Sequence, residues 1–391
     1  MTSSSWAKVR RSSGPPEIGH VLHRDLTTPI LLRRFSEVKP VEGANRANRR
    51  ILPSRSQGFR LEFIAFLATK TTDAAKPGMT SDSSRPRPQA HLNEIVEVLA
   101  NVFQVRQDMA PAQIGTYSVA HVLIGTAIVL IDTGILGGEA SILGLLSDLG
   151  RSPRDIVAIL NTHGHADHIG SNVVLARMTG APVHLHRNDR FYLDGAKQMW
   201  GGDLVPTAPA DVLLSDGDIL EFGDLRLEVV HLPGHSAGSV GYWDRQRDIL
   251  YCGDAVQGRG STIQNLPLYF DPDAYERSVV RVGAIDVQNL IPSHPYLPLS
   301  SCIASGSQVN EFVSLSLEVY RSLDGQIRDV VQNAPGPITV EKITAPLCAR
   351  NGFATITSMA TTTVRAHLER MRRHGTATMK NLDGTLYWVL R

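Results

Sequence analysis

Between residues 162 and 168 the chain reads Thr162-His163-Gly164-His165-Ala166-Asp167-His168. This places three imidazoles and a carboxylate within six residues, where an apolar run (residues 155–160) gives way to a segment of helical period. Polar groups packed this densely at the end of a buried strand are costly unless something satisfies them. A metal is the natural partner, because histidine nitrogen and carboxylate oxygen are ligands that borderline zinc accepts, and open hydrolytic sites are built from them. His163 and His165 can point to one side while Asp167 and His168 turn toward a second centre, so one short loop can serve two ions.

Three further residues repeat the placement. His235 lies in Leu232-Pro233-Gly234-His235-Ser236 after an apolar run, Asp254 in Cys252-Gly253-Asp254-Ala255, and His294 in Pro292-Ser293-His294-Pro295. Each is a ligand-capable residue just beyond the carboxyl end of an expected strand. The glycines around His235 leave room for backbone to approach a ligand closely. Asp132, at the end of another apolar run, is either a carboxylate that fixes a ligand histidine or a turn former at a strand end. His184 and His186 alternate along an expected strand and read as structural or surface residues. His121 reads as a polar cap before an apolar strand, and Cys252 as a small buried hydrophobe. Residues 266–270 (Leu-Pro-Leu-Tyr-Phe) either line a substrate pocket or form an exposed loop anchored by their own aromatics.

Short β-branched runs punctuated by Gly, Asp and Pro alternate with segments of helical period from about residue 91. Strands are expected at 127–131, 155–160, 183–185, 225–230, 240–243, 249–252 and 290–292. Helices are expected at 141–149, 169–179 and 274–287. That alternation implies an α/β sheet sandwich with helices packed outside. Residues 305–308 read as a boundary, followed by a long amphipathic helix at 309–332 and a tail of two helices and a hairpin turning at Asp383-Gly384. The expected organisation is an extension at 1–90, a catalytic domain at 91–305 and a helical C-terminal domain at 306–391.

The ordered set His-x-His-x-Asp-His, Pro-Gly-His, Gly-Asp and a late His resembles the metallo-β-lactamase superfamily over residues 115–295. Leu130-Ile131-Asp132-Thr133-Gly134 and Asp216-Gly217-Asp218 look like further marks of it. The resemblance implies an αββα sandwich with a metal centre at the edge of its two sheets. It assigns one ion to His163, His165 and His235 and a second to Asp167, His168 and His294, with Asp254 bridging. Two zinc-type ions are implied, with iron or manganese as alternatives, and a metal-bridging hydroxide formed at neutral pH. Asp167 is the candidate catalytic residue that orients it.

The implied function is hydrolysis of an ester, thioester or lactone in a small molecule. The alternatives are a nuclease that uses the tail to grip RNA or DNA, and an iron-dependent sulfur dioxygenase. Asp254 at the bridging position resembles glyoxalase-type and nuclease-type members rather than antibiotic-cleaving ones. The residues that follow, Ala255-Val256-Gln257-Gly258, lack the tyrosine that quorum-signal lactonases typically carry there.

Charge bears on the nuclease alternative. Residues 1–60 carry 12 Lys/Arg against 4 Asp/Glu and residues 336–391 carry 8 against 3, which leaves 19 against 31 between them. A phosphate polymer would meet net negative protein around the metals. The tail, with Arg365, Arg370, Arg372 and Arg373, resembles a winged-helix module. A lid or homodimer contact is preferred for it over a nucleic-acid grip. The expected partner is a small-molecule substrate rather than a membrane. Three scattered cysteines suggest no disulfide framework and fit a reducing, cytoplasmic setting. The Arg/Ser-rich first 90 residues read as a disordered extension, or as an organelle transit peptide.

Overall fold

The computed structural model describes residues 94–109, 117–193, 205–299 and 301–391, together with the backbone of residues 7–10, 198–200 and 203–204. The expectation for residues 1–90 lies outside the described residues apart from Ala7–Arg10. That segment forms an edge strand the sequence reading did not contain.

In chain order the strands of the first half are β1 (Ala7–Arg10), β2 (Ile95–Leu99), β3 (Val102–Asp108), β4 (Tyr117–Ile124), β5 (Ile128–Ile131), β6 (Ile156–Leu160), β7 (Val183–His186), β8 (Gln198–Trp200) and β9 (Asp203–Val205). Those of the second half are β10 (Val212–Leu214), β11 (Ile219–Phe222), β12 (Leu225–His231), β13 (Val240–Asp244), β14 (Ile249–Gly253), β15 (Asn289–Pro292), β16 (Ala304–Ser305), β17 (Ala377–Leu382) and β18 (Thr385–Leu390). The helices are α1 (Glu139–Asp148), α2 (Ala166–Ile169), α3 (Asn172–Thr179), α4 (Pro272–Gly283), α5 (Ser307–Gln332), α6 (Val340–Arg350) and α7 (Ser358–Arg373).

Two seven-stranded sheets result, ordered β10-β7-β6-β5-β4-β3-β2 and β1-β11-β12-β13-β14-β15-β16. Strand β5 shows why the layers form. Its Val129 and Ile131 face the second sheet, in a core shared with Leu227, Val229, Tyr242 and Tyr251. Its Ile128 and Leu130 face the opposite way, onto Ile142, Leu145 and Leu146 of α1. A strand covered on both faces must read as a continuous apolar run, and this one does. On the far side of the second sheet, Val230, Leu250 and Leu290 pack against Tyr275 and Val279 of α4 and Phe312 and Val313 of α5. The layering is α, β, β, α, as the resemblance implied.

Two backbone hydrogen bonds join the sheets at one edge: Val119 N–H donates to Ser293 O (3.0 Å) and Val240 N–H to Thr162 O (2.8 Å). At that edge β5 and β6 run parallel, as do β14 and β15. Their carboxyl ends therefore open side by side, the usual position of a site in sheets of this kind.

Helix α5 is shared between two cores. Val309, Phe312, Val313 and Tyr320 belong to the sandwich, whereas Leu323, Ile327 and Val331 join α6, α7 and Trp388 in a core of the tail. The hairpin turns at Asp383 (φ 50°) and Gly384 (φ 81°), two successive positive-φ residues of a type I′ turn. The helix read at 169–179 is two helices, because the chain leaves helical geometry at Ser171 (φ −100°, ψ 4°), next to Gly170. A Cβ at Gly170 would lie 2.3 Å from the backbone of Ile135 and Leu136, so the loop after β5 packs directly on the break.

Candidate metal centre

All seven residues singled out from the sequence converge at this edge. Three nitrogens form one group: His163 Nε2 lies 3.0 Å from His165 Nδ1 and 3.1 Å from His235 Nε2, and the latter two are 2.9 Å apart. Asp167, His168 and His294 form a second, with His168 Nε2 3.2 Å from His294 Nε2 and Asp167 Oδ2 3.3 Å from His294 Nε2. Asp254 stands between them, its Oδ2 3.4 Å from His235 Nε2, 3.4 Å from His294 Nε2 and 3.6 Å from His168 Nε2. Six of the seven are buried and His165 is partly exposed.

The outer hydrogen bonds decide what these contacts are. His235 donates from Nδ1 to Leu268 O (2.7 Å) and His294 from Nδ1 to Tyr117 O (2.9 Å). His168 donates from Nδ1 to Asp132 Oδ2 (2.9 Å). Thr162 Oγ1 gives its hydrogen to Asp132 Oδ2 (2.8 Å), so at 3.1 Å it accepts from His163 Nδ1. This network assigns the tautomers. In the neutral rings it leaves the Nε2 of His163, His168, His235 and His294 as bare lone pairs pointing at one another. Such pairs repel unless a cation sits among them. Ligand atoms about 2.0–2.1 Å from a tetrahedral zinc lie roughly 3.3 Å apart, close to the spacing found. Asp254 Oδ1 also lacks a hydrogen-bond partner, which leaves a second carboxylate lone pair free for an ion. The residues present fit a pair of divalent ions.

Electrostatics point the same way. Burial opposes charge on His168, but Asp167, Asp254 and Asp132 outweigh it and raise its pKa well above the usual imidazole range. His294 is pushed up to about 10 against the same burial, chiefly by Asp254 and Asp167. On the other side, burial and the neighbouring histidine His235 take His165 down to about 3, and His163 and His235 are lowered too, first by burial. Asp167 is lowered to about 2 because His168 and His294 overcome the burial that would raise it. The acidic side calls for positive charge, which a proton or a divalent ion can supply at the same lone pairs.

Asp132 is fully buried and adopts positive φ (59°). Its carboxylate accepts from Thr162 N and Oγ1, His168 Nδ1 and Ser293 Oγ (3.2 Å), joining the ends of β5, β6 and β15. Fixing a histidine and turning a strand end were alternatives in the sequence. One residue does both.

Three residues in the site, Asp189, Gln257 and Tyr192, were not singled out from the sequence. Asp189, after β7, accepts from Gly238 N (2.6 Å), Ser236 Oγ (2.6 Å) and Gly164 N (3.2 Å), and so ties the loop of His163 and His165 to that of His235. Its signal was the shared one, a carboxylate past a strand end. Gln257 donates from Nε2 to Asp254 O (2.8 Å) and Leu268 O (2.7 Å), and accepts from Leu268 N. A carboxamide in an apolar stretch gave no such signal.

His184 and His186 lie outside the cluster, His184 beside the carbonyls of Ile159 and Pro182 and His186 stacked on His231. His121 is not a cap: it sits inside β4, paired with Ile131, with both ring nitrogens buried and without hydrogen-bond partners. The space at Gly234 serves packing, since a Cβ there would lie 2.5 Å from the Tyr275 backbone of α4. In the loop at 266–270, Leu266 and Tyr269 are buried anchors, while Phe270 stays partly exposed with its ring 6.0 Å from that of His165. Tyr192 stands on another side of His165, its hydroxyl 3.2 Å from Nε2.

Comparison with known proteins agrees with this geometry. Residues 115–294 match the family model of the metallo-beta-lactamase superfamily. A probable metallo-hydrolase of Bacillus subtilis is 36% identical over 125 residues, 31% of this chain and 58% of that protein. An acyl-coenzyme A thioesterase of Bos taurus is 33% identical over 198 residues, 42% of this chain and 68% of that protein. The chain spans about half the length of several curated relatives, 49% of an uncharacterised Aquifex aeolicus protein among them. The crystal structure of a metallo-beta-lactamase family protein from Thermus thermophilus superposes with a TM-score of 0.59 at 20% identity, covering 75% of this chain and all of that one.

Proposed function

The chain belongs to the metallo-β-lactamase superfamily, and from that premise we propose that it is a hydrolase of small acyl thioesters, with a pair of zinc-type ions held by His163, His165, Asp167, His168, His235, Asp254 and His294. The observation that carries the reading is the position of Asp254, whose Oδ2 lies 3.4 Å from His235 on one side and 3.4 Å from His294 on the other. One carboxylate oxygen is thus shared by two groups of ligands. The thioester is favoured by the relative named as an acyl-coenzyme A thioesterase.

When bound, two divalent ions lower the pKa of water toward about 7 and polarise an acyl oxygen. The protein's own groups then hold the reactants. Asp167 is fixed from behind, where Ser118 Oγ donates to its main-chain carbonyl (2.6 Å), and this keeps its carboxylate turned toward His168 and His294, where it would orient the attacking water. Phe270 and Tyr192 flank the partly exposed His165 and give the acyl group an apolar wall. Asp132 and Asp189 keep the ligand loops from shifting as charge develops.

The test is a panel of acyl thioesters, lactones, phosphodiesters and persulfides offered to the zinc-loaded protein. Thiol release from an acyl thioester is expected to be the fastest reaction. Turnover confined to phosphodiesters or persulfides would sink the thioesterase reading.

A further inference from the structure

We infer that helix α7 of the C-terminal tail holds His235 in its ligand orientation through the loop at residues 264–270, with His367 as the positioning residue at the joint. This rests on the metal-centre reading above and gives the tail a task that neither the ligand set nor the comparisons assign.

The connection can be followed bond by bond. His235 is oriented by one acceptor, the carbonyl of Leu268 (2.7 Å). That residue is clamped by Gln257, which bonds both its carbonyl and its N–H at 2.7 Å. The next residue, Tyr269, is fully buried and sends its hydroxyl to Nε2 of His367 on α7 (2.8 Å). The other nitrogen of His367 faces Asp324 Oδ1 on α5 (3.3 Å).

The rest of the loop is pinned to the same tail. Thr363 Oγ1 donates to Pro267 O (2.7 Å), Thr357 Oγ1 to Gln264 O (2.9 Å) and Asn265 Nδ2 to Thr355 O (2.6 Å). The Leu266 side chain enters the core of the tail. On either side of the carbonyl that aims His235, the loop is therefore fastened to α7 and the residues before it.

Imidazole suits the joint because a neutral ring accepts on one nitrogen and donates on the other, and this one must accept from a phenol while donating to a carboxylate. The arginines of α7 support the same task. Arg370 bonds Asp324 Oδ1 (3.1 Å) and Asp273, and Arg373 lies 3.4 Å from Asp273 Oδ2, so α7 is tied to α4 and α5. Arg372 pairs with Glu369 on its own helix (2.6 Å), so Arg370, Arg372 and Arg373 are all engaged within the protein.

The test uses the full chain and measures zinc affinity by competition with a chelator, kcat and KM for the thioester, and the melting temperature. Tyr269→Phe deletes only the hydroxyl, His367→Ala removes the acceptor, and His367→Gln restores part of it. Tyr269→Phe and His367→Ala should weaken one of the two zinc sites by about 10-fold, the lower end for groups that orient metal ligands. The loss should fall on kcat more than KM, with His367→Gln in between. Leu368→Ala, in the tail core but outside this hydrogen-bond chain, should lower the melting temperature and leave zinc affinity unchanged. Unchanged affinity in Tyr269→Phe, or an equal loss in Leu368→Ala, would overturn the inference while the metal centre stands. A wild-type protein that takes up no zinc would instead remove the reading on which it rests.

Discussion

Asp132 carries more of the site than any residue outside the ligands, because four donors converge on its carboxylate: Thr162 N, Thr162 Oγ1, His168 Nδ1 and Ser293 Oγ. Asp132→Asn replaces one acceptor oxygen with a donor in a fully buried pocket. The misfit should cost about 1–3 kcal/mol of stability, the penalty for an unsatisfied buried polar group. It should also free the His168 ring to take the wrong tautomer and weaken metal binding by about 10–100-fold. Denaturant melts and chelator competition measure the two losses; wild-type zinc affinity would contradict the role. The ligands were legible because each follows an apolar run and four fall in one short motif. Asp189 and Gln257 were not, because the groups they tie into the site, Gly164, Ser236 and Gly238 for one and Leu268 for the other, lie 11 or more residues away and are brought near only by the fold.

At the scale of elements, the apolar runs mark most strands whose carboxyl ends carry the site, but not β4, which is buried over nearly its whole length and was not read as a strand. Strands β5, β6, β12, β13, β14 and β15 all lie where apolar runs were read, each with one end displaced by one residue. The sequence reading fails where backbone meets backbone. The break between α2 and α3 has no counterpart in helical periodicity: it falls at Ser171, beside Gly170, onto which the backbone of Ile135 and Leu136 packs. Gly234 is a similar case, at φ 137° where an added Cβ would lie 2.5 Å from the Tyr275 backbone of α4. Gly234→Ala should therefore be destabilised by about 2–5 kcal/mol, combining backbone strain with overpacking. Because His235 follows directly, metal binding should weaken as well. A variant with unchanged melting temperature would mean that the contact yields freely.

Across the whole molecule the sandwich and the tail are held together by α5, which lends residues to both cores, and by an ion-paired knot around Asp324. Its carboxyl is lowered from 3.8 to about 2, since hydrogen bonds from His367 and Arg328 outweigh the burial that would raise it. A depressed folded-state pKa gives stability that is complete above about 4 and lost as pH falls through about 2, here no more than about 2 kcal/mol. The stability difference between wild type and Asp324→Asn should accordingly shrink between pH 5 and pH 2; a constant gap would refute the linkage. How far the tail couples to the site was hidden in the sequence, because its basic helix showed charge and not the acidic residues Asp273 and Asp324 that meet it. The measurement that tests the central claim most directly is elemental analysis of the purified native protein, alongside His165→Ala. Two divalent ions per wild-type chain, reduced in a variant that keeps its fold, are expected. A wild-type protein that holds no ions, and takes up none from added zinc, iron or manganese, would contradict the account.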